Sequence, residues 1–436
     1  MADSSRPEDV HDPLAAWRIP AFRAFALSRG AGATAMTMLQ AIVAWQVYAI
    51  SDSALQLGFI GLARFVPALA ASLVGGAVAD VYDRRRVIQI AQLAPLLSTA
   101  IVLGAIAGGF ESLGLLYGVV VLTGLAASFE NPARQALLPA IVPRSMFTNA
   151  ITAFSTVQSI AFISGPAVGG LAIAWAGVGA AWAVHGAFVL LSIAVLFLVP
   201  SRTPTGPVGG VSIEAIREGV RFVLNRPVLL GAMTLDMLAV IFGGAKALLP
   251  IFAVDILGAG AVGYGILSAS LEAGALLMSV VLIVRRPPER TGVWLLGSVA
   301  AFGLATIAFG LSRSFPLSVA AYAAVGMADQ VSVVMRQTTI QLRTPDELRG
   351  RVSAVNQVFI GASNQLGGVE SGVVAALTTA TFAVVTGGIG CLAVVGLIGA
   401  RIPELRRYRA ADDERPVEAV PHEASADRSS EPAASP

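Results

Sequence analysis

The chain has 436 residues, 56% of them hydrophobic and only 13% charged, with a mean hydropathy of +0.75. Soluble domains carry about 25% charged residues, so a water-covered enzyme is excluded. A net charge of +2 leaves no basic excess for nucleic-acid phosphates. What is left is a polytopic membrane protein.

Cofactor chemistry has little to work with. The single cysteine, Cys391, sits in an apolar run, so neither an intramolecular disulfide nor a Cys-based metal site can form. His11, His185 and His422 are too scattered for a metal cluster. Of 29 Lys and Arg residues only Lys246 is a lysine. The polar start, with Asp3, Glu8, Asp9 and Asp12, has no signal-peptide core, so the first span is expected to act as the membrane signal.

A membrane-crossing helix needs about 20 mainly apolar residues. After a cytoplasmic segment 1–21, spans are expected near 22–50, 55–79, 87–109, 113–136, 147–174 and 178–199. A second set falls near 228–252, 262–284, 292–311, 315–338, 350–378 and 381–402. Each must be a helix, because open strand edges go unsatisfied in lipid. Before the eleventh span, Thr344, Pro345 and Glu347 fit a capping box. Two six-helix bundles, 22–199 and 228–402, are thus joined by a linker at 200–227. The linker opens on Pro200, Pro204 and Pro207, and continues as an amphipathic helix, 213–224, expected to lie against the membrane face. The tail, 403–436, is expected to be cytoplasmic and disordered beyond Arg409.

Loops on one side hold thirteen arginines, among them Arg84, Arg85, Arg86, Arg144, Arg343 and Arg349, and loops on the other hold only Arg313. The positive-inside rule puts both termini in the cytoplasm. The halves also repeat. Arg134-Gln135 recurs as Arg336-Gln337, and Gly165 and Gly170 recur as Gly367 and Gly372, all offset by 202. Nearer the start of each half the offset is 207, pairing Pro20 with Pro227 and Gly58 with Gly265. A parallel repeat of this kind places a substrate cavity between the halves.

Two motifs carry a family resemblance. Gly76, Asp80, Arg84 and Arg85, between spans two and three, match the signature loop of the major facilitator superfamily, with Val81 and Asp83 departing from its general form. In span five, Gly165, Pro166, Gly169 and Gly170 match the antiporter motif of that superfamily's exporters, with Ala161 replacing its first glycine. Phe22-Arg23-Ala24-Phe25, Tyr82-Asp83-Arg84-Arg85 and Asn131-Pro132-Ala133-Arg134-Gln135 resemble the bacterial branch holding the enterobactin exporter and Tap-like drug pumps. The resemblance implies an all-α major facilitator fold of 12 transmembrane helices. It also implies a monomeric exporter that takes a small amphiphilic compound, a siderophore or lipophilic drug, across the cytoplasmic membrane by proton antiport.

Physically, Gly76 would allow close helix approach, Asp80 would sit near the positive N-terminus of the eleventh span, and Pro166 would kink span five. Glu130 is the expected acidic partner of the loop arginines, although Arg134, four residues on, competes for it. Charges inside spans cost about 2.5–3.5 kcal/mol at a helix centre, so each invites a role. Asp236, Glu272, Asp329 and Glu370 are candidates for carrying a proton, the first two fitting best because they lack a basic neighbour on their own helix. Asp329 shares a helical face with Arg336. Arg29 and Lys246 can offer charge to an anionic substrate or balance the acids. Gln40, Trp45, Gln46, Gln158, Asn356, Gln357, Asn364 and Gln365 are candidates for the cavity wall.

No phosphate loop, His-Glu-x-x-His or Gly-x-Ser-x-Gly motif is present, which argues against an enzyme or ATP-driven pump. The alternatives are an uptake, lipid or metabolite transporter of the same superfamily, and a non-transporting receptor or scaffold.

Overall fold

The computed structural model describes residues 15–200, 213–285 and 290–409. The first fourteen residues, the Pro/Gly stretch at 201–212, residues 286–289 with Arg286, and the tail after Arg409 lie outside the described residues. The side chains of Ala15, Leu73, Ile213, Glu214, Ala215, Ile216 and Glu347 do too.

Among the described residues the chain is helical, without strands. The N-terminal half comprises α1 (Pro20–Ser51), α2 (Ala54–Val81), α3 (Arg84–Gly108), α4 (Leu113–Ile141) and α5 (Phe147–Leu196). The linker helix α6 (Ile213–Leu224) leads into α7 (Pro227–Phe242) and the short turn α8 (Leu249–Ile251). Then follow α9 (Gly260–Val284), α10 (Thr291–Leu311), α11 (Phe315–Arg343), α12 (Arg349–Leu377), α13 (Ala380–Arg401) and α14 (Pro403–Arg407). Local chemistry sets several boundaries. Pro20 and Pro227, repeat partners in the sequence, each open a helix, where the missing N–H costs nothing. Ser53, Asp83, Ser112 and Thr379 accept from backbone N–H groups at the starts of α2, α3, α4 and α13. Asp83, a departure from the signature loop, is therefore the cap of α3.

Among the described residues, ten helices are long and apolar enough to cross a membrane, with Pro227–Ile256 counted as one. Two features separate that count from the expected twelve. The 50-residue α5 holds two expected spans, and its only non-helical dihedrals are at Ala176 and Gly177, where Gly177 takes φ +81°. A side chain would be strained there. The break thus falls between the two expected spans, 147–174 and 178–199, and the backbone dihedrals stay helical through Pro166. The second feature is α12, whose 29 residues include Asn356, Gln357, Asn364, Gln365 and Glu370 and are too polar to qualify, although it packs against α2, α7 and α13.

Three local expectations are revised. The seventh span is not one continuous helix: α7 ends at Gly243, and a 3-10 turn, Ala245–Leu248, and a π turn, Phe252–Ile256, complete the pass. The Thr344 capping box does not form, since Thr344 Oγ1 is buried without a hydrogen-bond partner and α12 starts at Arg349 after a 3-10 turn at Asp346–Leu348. The linker helix α6 packs on protein through its second half: Val220, Phe222 and Val223 pack with Leu229, Met233, Ile340, Val352 and Val355. Glu218 of α6 also pairs with Arg351.

The halves interlock at the arginine-poor end. Ile251 and Ala261 join the N-terminal cluster around Met38, Ile42 and Trp182, while Ala41, Trp45 and Ala54 join the C-terminal cluster around Phe252, Phe309 and Tyr322. At the arginine-rich end, the clusters around Phe22 and Leu137, around Leu235 and Met335, and around Leu229 and Val352 each stay within one half. Along α2, Leu57 near the first end is 3% exposed and Val81 near the second is 53% exposed. The space between the halves thus opens toward the arginine-rich end.

The seam at the closed end is built on glycine. A Cβ on Gly170 of α5 would lie 2.9 Å from the Cα of Gly265 in α9, and one on Gly372 of α12 would lie 2.9 Å from the Cα of Gly58 in α2. Both contacts leave no room for a side chain. They are equivalent under the internal repeat, which pairs Gly170 with Gly372 and Gly265 with Gly58.

Candidate functional site

In the N-terminal half, a buried polar network fixes one wall of the central space. Arg134 of α4 pairs with Glu130 at 2.6 Å and donates to Ser192 of α5 at 3.2 Å. Gln92 of α3 donates to the same Glu130 and Ser192 at 3.1 and 2.8 Å. Gly32 of α1 lets these groups converge, because a Cβ there would stand 3.1 Å from Arg134, Gln92 and Ser192 alike. Glu130 is therefore the partner of Arg134 and not of the loop arginines. Those donate to backbone instead: Arg84 to the carbonyl of Ala136 in α4 at 3.1 Å and Arg85 to that of Val199, just beyond α5, at 3.0 Å.

The signature loop behaves differently from expectation in two further ways. A Cβ on Gly76 would meet open space, and it is the adjacent Gly75 that presses on Ser128 of α4. Asp80 makes no hydrogen bond or ion pair among the described residues, as follows from the separation of the halves at its end. In the antiporter-like motif, Gly165 and Gly169 face Thr34 and Met38 of α1, while Gly170 faces Gly265 across the seam.

Arg29 donates to Gln158 of α5 at 3.0 Å and lies 5.5 Å from the ring centre of Phe154. It shares a pocket with a residue the sequence reading passed over, Arg64 of α2. Eleven residues into an apolar helix, Arg64 was visible as an intramembrane charge.

The C-terminal half carries the acids. Arg336, the repeat partner of Arg134, pairs with Asp236 of α7 at 3.3 Å and donates to Asn356 of α12 at 2.8 Å. Lys246, in the broken stretch after α7, pairs with Glu272 of α9 at 3.6 Å. Each of the two favoured acids therefore has a basic partner on another helix. Asp329 shares a pocket with Asp236 and lies within electrostatic range of Asp236, Arg336, Glu272 and Lys246. It makes no hydrogen bond or ion pair among the described residues. Glu370 is apart from this group, beside Ser371 at 3.3 Å.

The amide candidates separate into groups. Gln46 does not belong on a cavity wall: it is buried, donating to Glu111 and accepting from Trp182 at 2.9 Å. Asn356 is likewise buried, its oxygen taken by Arg336. Gln158 serves Arg29. Trp45 crosses the seam to Tyr264, with ring centres 5.7 Å apart, and close by Tyr48 donates to Asp255 of the other half. Gln365 lies over Gly61 of α2. Gln40 is half-buried, and Gln357 and Asn364 are exposed, seven residues apart on α12.

Two helical bundles related by a parallel repeat, with ionisable groups inside, define a membrane transporter of the major facilitator superfamily. Within it, the chain belongs to the transmembrane secretion effector family, whose profile matches residues 11–429. It is 27% identical over 396 residues to the enterobactin exporter EntS of Escherichia coli O1:K1, covering 89% of this chain and 94% of that protein. The EntS protein of Shigella boydii serotype 18 is also 27% identical, over 394 residues. Among solved structures, the nucleoside transporter NupG superposes with a TM-score of 0.70 at 12% identity, covering 89% of this chain and all of that one. A bacterial homologue of the lysosomal transporter Spinster, inward-facing and unoccupied, gives 0.66 at 15% identity, covering 92% of this chain and 98% of that one. The chain is a multi-pass membrane transporter, not an enzyme.

Proposed function

We propose that this protein exports a small amphiphilic compound across the cytoplasmic membrane in exchange for protons, by alternating access and as a monomer. The arginine-rich end and both termini face the cytoplasm in this reading, supported by the thirteen-to-one distribution of loop arginine. The central space then opens inward, ready to receive a cytoplasmic substrate. Similarity to the enterobactin exporters favours a siderophore of that catecholate kind, with lipophilic drugs as the other class.

One observation carries the proton coupling. Among the described residues, Asp236, Glu272 and Asp329 face two bases, Arg336 and Lys246, which leaves one carboxylate uncompensated. An unpaired charge at membrane depth is expensive, and a single proton on Asp329 neutralises the group while leaving both ion pairs whole. Asp329 is thus the proton carrier, with Asp236 and Glu272 setting its surroundings.

The test is efflux of enterobactin, and separately of a lipophilic dye, from cells with and without the gene, each with and without a protonophore. Gene-dependent efflux that stops on collapse of the gradient is expected. Efflux undiminished by the protonophore contradicts the coupling, and gene-dependent accumulation contradicts export.

A further inference from the structure

Arg64 is an intramembrane charge with no part in proton coupling through Asp329. It projects from α2 into a pocket that is lined entirely by the N-terminal half and partly open to solvent. Arg29 lines the same pocket, and Met36, Leu39, Pro95 and Val189 supply an apolar surface.

The charges do not balance. The pocket's acid, Glu130, is already held by Arg134 and Gln92. Arg29 has a neutral amide and an aromatic face for company. Arg64 makes no hydrogen bond or ion pair among the described residues. Three arginines therefore converge on one carboxylate, a local excess of two positive charges. The main chain of Arg64 is pinned where α2 crosses α4: a Cβ on Gly124 would fall 2.7 Å from the Arg64 carbonyl oxygen. The base of its side chain is thus set at the pocket by the helix crossing. An unpaired guanidinium over an apolar floor matches one ligand chemistry, an acidic head on an apolar body.

We propose that Arg64, with Arg29, forms an anion-binding subsite that receives the acidic group of an amphiphilic organic acid. This deepens the export reading by naming the charge of its substrate and the wall that recognises it. The polar contrast is internal to the fold: by the offset of 207, Arg29 corresponds to Asp236, so one half presents a cation where the other presents an acid.

The test uses the full chain in lipid nanodiscs and two probes of one shape, 1-naphthoate and its uncharged amide, with calorimetric titration and empty nanodiscs subtracted. Wild type is expected to bind the acid at least about tenfold more tightly than the amide, as a charge-assisted pair allows. Arg64→Gln should lose that preference, Arg64→Lys should keep part of it, and Arg29→Gln should weaken acid binding alone. Arg285→Gln, at an exposed position outside the pocket, should match wild type. Equal binding of acid and amide by wild type, or binding of neither, overturns the proposal. So does wild-type acid binding by Arg64→Gln or, should that variant not fold, by both Arg64→Lys and Arg29→Gln. The titration needs no gradient, so its outcome is independent of whether efflux is proton-coupled.

Discussion

Asp236 and Arg336 stand 3.3 Å apart on α7 and α11, both buried, and Arg336 reaches on to Asn356 of α12. One guanidinium so ties three helices together. Breaking a buried pair by removing one partner costs about 3–5 kcal/mol, because the other charge is stranded. Asp236→Asn should therefore destabilise the protein markedly, read as a lower melting temperature in detergent. A melting temperature equal to wild type would place the pair outside the stability core.

Asp329 makes the opposite prediction. It belongs to neither ion pair, and Asn has nearly its shape. Asp329→Asn should melt within about 4 °C of wild type, a shift equivalent to roughly 1 kcal/mol. In inverted vesicles it should still bind substrate and lose gradient-driven transport. Wild-type transport by this variant would move the proton to another acid.

Lys246 and Glu272 form a more open pair, with side chains 62% and 29% exposed. Exposed pairs contribute about 0–1 kcal/mol. Lys246→Gln should accordingly fold and melt like wild type, while Arg336→Gln should not. Comparing the two melting curves separates a pair that anchors from one that tunes charge. If Lys246→Gln unfolds as readily as Arg336→Gln, the broken segment after α7 is a structural anchor.

At the seam, Gly170→Ala places a methyl group against the backbone of α9 at Gly265. Overpacking costs about 1–3 kcal/mol, which shifts a two-state equilibrium by roughly one to two decades. The closed arginine-poor end should lose population. A cysteine replacing Trp45, which bridges the halves there, should then react faster with a membrane-impermeant maleimide applied outside. Gly372→Ala, the repeat equivalent, should do the same, and unchanged labelling in both would assign closure to other contacts.

The spans and the repeat were legible in the sequence because hydropathy and motif spacing are read along the chain, whereas the one expected cap, at Thr344, does not form. Pairing was not legible. For Glu130 the sequence offers both the loop arginines and Arg134, one turn away on the same helix, and it is Arg134 that holds it. Asp236 and Glu272 stood out for lacking bases on their own helices, and their bases come from α11 and from the turn after α7. Such contacts depend on how helices rotate against one another, which no single helix encodes. The break after α7 did leave a trace: Gly243-Gly244 ahead of Lys246 is poor helix, and Gly244 is pressed against Gly367 and Ser371 of α12. Arg64 was overlooked among the apolar residues around it, although its charge alone was reason to single it out.

The two glycine crossings have a mechanical consequence. Backbone touches backbone at Gly170–Gly265 and at Gly58–Gly372, so at these two crossings no side chain stands between the helices. A joint of that kind can roll without any rotamer having to change, and separating it exposes little apolar surface at those points. The friction of opening is left to the few side-chain ties around it, such as Tyr48 with Asp255 and Trp45 with Tyr264. Substitutions at those ties would alter the speed of the cycle, and substitutions at the glycines would alter which end the machine prefers to leave open.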